Sequence, residues 1–217
     1  ILLVGTNPRL EAPVLNARIR RAWLRGARVG LIGEGADLSY RYEHLGESPK
    51  ALAALGGFGD ALKNGQRPMV IVGAGALARN DGAQLLRAVG GLGLVRDGWN
   101  GFNVLHSAAA RVGGLDLGFL PGVDAKGAKA MLKGGMKALF LLGVDEVELP
   151  KDGTVIYLGT HGDRGAHRAD IILPGAAYTE KDAIWVNTEG RVQYGRRATF
   201  PKGDAKEDWS ILRALSG

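Results

Sequence analysis

Apolar residues along this chain come in short runs that stop at glycine. Residues 1–4 stop at Gly5, 29–32 at Gly33, 69–72 at Gly73, 139–142 at Gly143 and 155–158 at Gly159. Runs this short, apolar throughout and without alternation, predict strands covered on both faces of a parallel sheet. Glycine at the strand end predicts the turns into helices, on the edge where such sheets bind ligands. Between the runs the spacing becomes helical. Pro13 suits a first helical turn, Leu15, Ile19 and Trp23 follow on one face, and Gly26 ends the helix. Residues 1–33 therefore read as a strand–helix–strand unit. Ser48-Pro49 predicts a helix through Leu52 and Leu55 that is broken at Gly56-Gly57. Asn80-Asp81 predicts a cap for a helix carrying Leu85, Leu86 and Val89, and Val104, Leu105, Ala108 and Val112 predict another apolar helix stripe. Residues 113–127 read as loop, and 126–133 as a short basic helix with Lys126, Lys129, Lys133 and Lys137 at near-helical spacing on a solvated face. Asp204 with Glu207 resembles a capping box that opens a last helix, whose Trp209, Leu212 and Leu215 stripe is assigned to the core.

The least generic stretch is 168–193. Ile171-Ile172-Leu173 stops at Pro174-Gly175, and residues 176–182 read as a turn or short helix. Ile184-Trp185-Val186 then leads into Asn187-Thr188-Glu189-Gly190-Arg191. The expected arrangement is two extended pieces facing each other across a polar loop.

Composition sharpens this picture in three places. Thirty-five glycines in 217 residues, about twice the usual share of roughly 7%, fit many tight turns. The chain has no cysteine, so it offers no thiolate for a disulfide, a zinc site or conventional iron–sulfur ligation. The charge is +6 and the isoelectric point about 9.7. The densest basic cluster is Arg18, Arg20, Arg21 and Arg25 on the first predicted helix, with Arg28 just beyond. Without interleaved aromatics it reads as a solvated face or a protein interface, not as a nucleic-acid surface. No apolar run approaches the roughly 20 residues of a membrane span. The chain opens on a strand without an initiator Met, as a piece of a longer polypeptide would.

Candidate chemistry is sparse. Gly73-Ala74-Gly75 follows a strand and precedes a helix, but it lacks the third glycine of a dinucleotide fingerprint and the G-K-[ST] of a P-loop. A plain turn is the favoured reading. Glu180, Asp182, Asn187, Glu189 and Arg191 form a polar set whose carboxylates could serve acid–base work. With no nucleophile or metal ligand beside them, capping and ion pairing, including Glu189 with Arg191, is the favoured reading. His44, His106, His161 and His167 are not at metal-ligand spacing.

Several blocks carry a family resemblance: G-T-N-P-R-L-E-A-P-V-L-N-A-R-I-R-R-A-W, D-L-S-Y-R-Y-E-H-L-G-E-S-P-K, P-M-V-I-V-G-A-G-A-L-A-R-N-D-G-A, L-D-L-G-F-L-P-G-V, A-D-I-I-L-P-G-A-A-Y-T-E-K and W-V-N-T-E-G-R-V-Q. In this order they resemble the C-terminal, molybdopterin-oxidoreductase-like part of the large (75-kDa-type) iron–sulfur subunits of NADH:quinone oxidoreductase, respiratory complex I. Broader relatives are molybdenum enzymes whose matching loops hold a molybdopterin guanine dinucleotide, and Gly5-Thr6-Asn7-Pro8 resembles one such loop. Where those enzymes place an Asp-Pro-Arg-like turn, this chain has Gly33-Glu34-Gly35 followed by Asp37-Leu38-Ser39-Tyr40. The resemblance implies a scaffold that has lost the pterin cofactor. The iron–sulfur clusters (2Fe-2S, 4Fe-4S) of such subunits would be held upstream of Ile1.

The expectation is thus an α/β fold, a doubly wound, mostly parallel sheet with flanking helices, in two subregions, residues 1–112 and 113–217. Its implied role is a structural and assembly domain of the electron-transfer subunit, without redox centres of its own. Implied partners are the other subunits of the peripheral arm, on the cytoplasmic face of a bacterial inner membrane or the mitochondrial matrix side, with neither nucleic acid nor a direct membrane span. No catalytic, cofactor-binding or metal residue is assigned. The alternatives are a fragment of a catalytic molybdopterin-dependent oxidoreductase and a stand-alone nucleotide-binding module.

Overall fold

The apolar run at the start of the chain builds β1 (Leu2–Val4), which lies at the centre of a sheet and is buried along its whole length. The computed structural model describes residues 1–108, 111–162, 164–187 and 190–217. Residues 1–108 and 109–217 form two compact units.

In the first unit, β1 leads through α1 (Pro8–Glu11) and α2 (Pro13–Leu24) to β2 (Gly30–Ile32) and β3 (Glu43–Gly46). A 3-10 turn over Pro49–Ala53 and α3 (Gly56–Asn64) precede β4 (Val70–Gly73). Then come α4 (Ala74–Leu77), α5 (Gly82–Gly90), a small hairpin of β5 (Val95–Arg96) and β6 (Trp99–Asn100), and β7 (Phe102–Leu105). The five-stranded sheet runs β3-β2-β1-β4-β7, and all its pairs are parallel. Leu2 sits opposite Gly30 and Val70, and Val4 opposite Ile32 and Val72.

Successive side chains of a strand point to opposite faces, and the two cores follow from that. Leu2, Val4, Ile32, Val70 and Val72 pack with Phe58 and Leu62 of α3 and Leu85 and Val89 of α5. Leu3, Leu31, Ile71 and Leu105 pack with Ile19 of α2 and with Val29, Leu38 and Tyr40. Both faces are covered, as a parallel sheet requires.

The second unit contains α6 (Arg111–Asp116), α7 (Ala128–Met131), β8 (Ala138–Leu142), β9 (Thr154–Gly159), α8 (Arg164–Arg168), β10 (Ile171–Pro174), β11 (Ala183–Val186), β12 (Val192–Gly195) and α9 (Asp208–Ser216). Its parallel sheet runs β10-β9-β8. Leu139, Leu141, Val155 and Tyr157 form a core with Met131, Leu132, Leu149, Ala166 and Ala169. On the opposite face Phe140 and Leu142 stay exposed.

The fold class expected from the apolar runs is the one found, and several local expectations are corrected. The Val104 to Val112 stripe is not one helix. Val104 and Leu105 belong to β7, pulled into the sheet by pairing with Val72 and Gly73 of β4. Residues 109 and 110 lie outside the described residues, and α6 (Arg111–Asp116) takes residues 113–116 out of the expected loop. The helix opened by Ser48 is a short 3-10 turn ending at Ala53, and Gly56 starts α3 instead of breaking a helix. The basic helix holds only Lys129, because α7 is a single turn. The pieces of residues 168–193 do not face each other: β10 pairs with β9, and β11 pairs antiparallel with β12. The last helix starts at Asp208, with Glu207 and not Asp204 at its N-cap. The Glu207 carboxylate accepts instead from Trp209 Nε1 at 2.6 Å. Its stripe is not core: Trp209 is 61% and Leu215 57% exposed.

Candidate functional site

The C-terminal edge of β1, β2 and β4 is where a sheet of this order offers a crevice, because connections leave β1 and β4 towards opposite sides. Here much of the crevice is backbone. Gly5 has a left-handed φ of +55°, and Gly73 lies so close to it that a Cβ on Gly73 would sit 2.1 Å from the Gly5 carbonyl oxygen. The Gly73-Ala74-Gly75 segment is therefore a packing seam. α4 behind it is one turn long, with no side-chain cap.

Beside the seam, a cleft of about 500 Å3 opens between the β1 and β2 turns, lined by Thr6, Asn7, Glu11, Gly33, Glu34 and Asp37 among others. Its polar groups are largely satisfied by one another. Thr6, only 7% exposed, donates its hydroxyl to Glu11 Oε1 at 2.9 Å, and the Asn7 N–H donates to the same oxygen at 2.6 Å. Asn7 Oδ1 caps α1 by accepting from the Arg9 N–H at 3.2 Å. Pro8, first in α1, has no N–H to offer. Arg9 pairs with the Asp37 carboxylate and also donates to the Asp37 carbonyl at 3.1 Å. The Asp37 carboxyl is held below its ordinary range by the Ser39 N–H first and by Arg9 second. His44 Nε2 meets the Gly33 carbonyl at 2.8 Å. An anion brought to the β1 turn meets the Glu11 carboxylate where a phosphate loop presents free N–H groups.

Behind the cleft lies a buried polar node. Tyr40 donates its hydroxyl to Asn16 Oδ1 at 2.9 Å, and Asn16 Nδ2 donates to the Leu38 carbonyl at 3.0 Å. The Trp23 ring packs on Tyr40 with centroids 6.4 Å apart. Desolvation raises the Tyr40 pKa to about 12. This node fixes the turn after β2 against α2. Its position in the Asp37-Leu38-Ser39-Tyr40 block was visible in the sequence, but its pairing with Asn16 was not.

In the second unit, a smaller cleft of about 290 Å3 lies past the ends of β8 and β9, lined by Gly143, Tyr157, His161, Tyr178, Lys181 and Asp208 among others. Lys181 Nζ and Asp208 Oδ2 pair at 2.7 Å with both side chains half-buried, tying the turn after β10 to α9. The Tyr157 hydroxyl donates to the His161 carbonyl at 2.9 Å.

The polar set of residues 180–191 fixes turns. Glu180 Oε2 accepts from the Ala177 N–H at 3.0 Å, Asp182 Oδ1 from the Arg197 N–H at 2.8 Å, and Asn187 Oδ1 from the Arg191 N–H at 2.9 Å. Glu189, and with it the expected pair to Arg191, lies outside the described residues. Among the described residues no group of three or more His, Cys, Asp and Glu could hold a metal ion, and no helix is long and apolar enough to cross a membrane.

Comparison with known proteins adds identity to geometry. Residues 1–217 match the family described as molybdopterin oxidoreductase. The chain is 47% identical, over its full length, to the mitochondrial NADH-ubiquinone oxidoreductase 78 kDa subunits of Neurospora crassa and Candida albicans. It is 44% identical over 99% of its length to the mitochondrial NADH dehydrogenase [ubiquinone] iron-sulfur protein 1 of Solanum tuberosum. It spans 30–31% of the length of these relatives.

Proposed function

The chain belongs to the molybdopterin oxidoreductase family, and from that premise we propose that it is a structural and assembly domain of the electron-transfer subunit of NADH:quinone oxidoreductase. In this reading it carries no redox centre of its own and packs in the peripheral arm of that complex, against its other subunits. The arm lies on the mitochondrial matrix side or the cytoplasmic face of a bacterial inner membrane. The iron–sulfur clusters of the parent subunit are held by cysteines elsewhere in the polypeptide. The observation that carries the reading is identity of 44–47% across the whole chain to subunits named for NADH-ubiquinone oxidoreductase.

Two physical facts support the structural half of the proposal. A chain without cysteine has no thiolate for a cluster. The residues at the β1 turn also do not fit the phosphates of a pterin dinucleotide. The Asn7 N–H and the Thr6 hydroxyl are already bonded to Glu11, whose carboxylate would repel them. A second reading, part of a catalytic molybdopterin-dependent oxidoreductase, is favoured by the family description and by the cleft beside that turn. Anaerobic extraction of the full-length parent protein, with fluorescence of oxidised pterin and molybdenum analysis, separates the two. Assembly without a pterin signal is expected, and a stoichiometric pterin signal overturns the scaffold reading.

A further inference from the structure

The outward face of α2 is rich in arginine. At about 100° per residue, Val14, Arg18, Arg21 and Arg25 fall in one narrow sector, with Ala17 and Leu24 beside it, opposite the buried Asn16 and Ile19. Val14 is 73% and Leu24 60% exposed, and the arginines are exposed as well. The helix contains no Asp or Glu. Three acidic groups of this unit are committed elsewhere: Asp37 to Arg9, Glu43 to Arg28, and Glu11 to Thr6 and Asn7. Arg20 donates to the Ser39 carbonyl. Neither Arg21 nor Arg25 has a carboxylate partner among the described residues.

The helix dipole accounts for part of this, since cations near a helix C-terminus are favourable. It does not account for Val14 and Leu24 flanking the same ridge. Nor does it explain why like charges that repel at i, i+3 and i, i+4 spacing are kept together. A merely solvated face would use lysine as readily, yet every cation of α2 is arginine. Arginine beside exposed apolar residues is the composition of a protein interface, where lysine is depleted. A single-stranded nucleic-acid surface would add an exposed aromatic, and the one aromatic of α2, Trp23, packs inward on Tyr40.

We propose that this face docks a carboxylate-bearing protein surface of a neighbouring subunit, with Arg21 and Arg25 pairing to its acids and Val14 and Leu24 making apolar contacts near the two ends of the helix. The proposal rests on the assembly reading above. The test uses the full-length subunit in its native assembly, comparing Arg21→Glu/Arg25→Glu with Arg21→Lys/Arg25→Lys. The reversal is expected to lower recovery of the assembled complex on a native gel at least tenfold, since like charges facing one another across an interface are strongly unfavourable. The lysine variant should assemble, and carbodiimide coupling should join the new amines to carboxylates of another subunit, located by mass spectrometry. If the double reversal fails to fold by circular dichroism, Arg25→Glu alone, at the helix end, carries the same expectation.

A wild-type subunit that assembles together with a folded reversal that assembles equally well overturns the docking face and leaves the assembly reading standing. A wild-type subunit that joins no assembly overturns the reading itself. Coupling only between two copies of this subunit also overturns the proposal, as does a reversal that abolishes binding to anionic vesicles or an oligonucleotide while assembly is unchanged.

Discussion

Two glycines two residues apart separate a packing seam from a ligand loop. A Cβ at Gly73 would lie 2.1 Å from the Gly5 carbonyl oxygen and 3.1 Å from Thr6 Cβ, while a Cβ at Gly75 meets nothing within 4 Å. Both neighbours of Gly73 belong to the turn after β1, so relief requires moving two buried strand ends apart by about 1 Å, at the expensive end of overpacking, about 3 kcal/mol or more. Gly75 lies inside α4, where alanine is favoured over glycine by roughly 0.5–1 kcal/mol. The expected outcome is opposite signs. In urea, with a slope of ~1–3 kcal/mol per molar for a unit of this size, Gly73→Ala should lower the midpoint of the first unit by ~1 M or more, and Gly75→Ala should raise it slightly. Amide hydrogen exchange at Leu3 and Ile71, in the middle of β1 and β4, assigns the change to this unit and not to the second. A loss below about 1 kcal/mol for Gly73→Ala refutes the seam. If both variants instead keep full stability and differ only in nucleotide binding, the two glycines form a ligand loop after all.

The Tyr40 hydroxyl is buried against Asn16, so Tyr40→Phe should cost about 1–3 kcal/mol at pH 7 by leaving Asn16 Oδ1 without its donor. Because burial raises the Tyr40 pKa from 10.0 to about 12, its contribution is complete below pH 10 and is lost as pH rises through 12. Denaturation series from pH 8 to 12 should therefore show the wild-type advantage shrinking by about 2 kcal/mol, and a constant gap would contradict the burial. Arg28 holds Glu43 through two bonds of 2.8 Å, donates to the Gly57 carbonyl at 3.2 Å and stacks over the Phe58 ring at 5.4 Å. Arg28→Lys keeps the charge but loses the fork and the stacking, so the thermal midpoint should fall although the pair is half-exposed. An unchanged midpoint would show that the ion pair does not pin β3.

The central strands were legible because burial on both faces leaves an uninterrupted apolar run, as in Leu2-Leu3-Val4 and Val70-Ile71-Val72. The strands that were missed have no such run. β3, Glu-His-Leu-Gly, owes its place to pairing with β2 and to Arg28 gripping Glu43, which are contacts distant in sequence. Val104 and Leu105 of β7 fit a helical stripe in the sequence because Phe-Asn-Val-Leu is too short to show a period of its own, and edge pairing with β4 decides the matter. α9 was read correctly as amphipathic and wrongly as buried, since periodicity gives a face but not what covers it. At the site, Asn7-Pro8 followed by Glu11 carries most of a helix-start signature. That the Glu11 carboxylate folds back over the turn and takes its donors depends on geometry the spacing does not contain.

The distribution of committed charge bears on function more directly than any motif. An edge that works on an anionic ligand keeps donors free and organises cations around them. At the β1–β2 edge the order is reversed. Glu11 takes the Thr6 hydroxyl and the Asn7 N–H, and Arg9 of α1 is paired with Asp37. The Asn16–Tyr40–Leu38 node locks the segment that carries Asp37 against α2. The same node faces one side of α2, and the exposed arginines lie on the other. Such an edge keeps neither the Thr6 hydroxyl nor the Asn7 N–H free for an anion at the β1 turn. It is a suitable mount for a protein contact, because a held helix loses little freedom when a partner docks on its outer face.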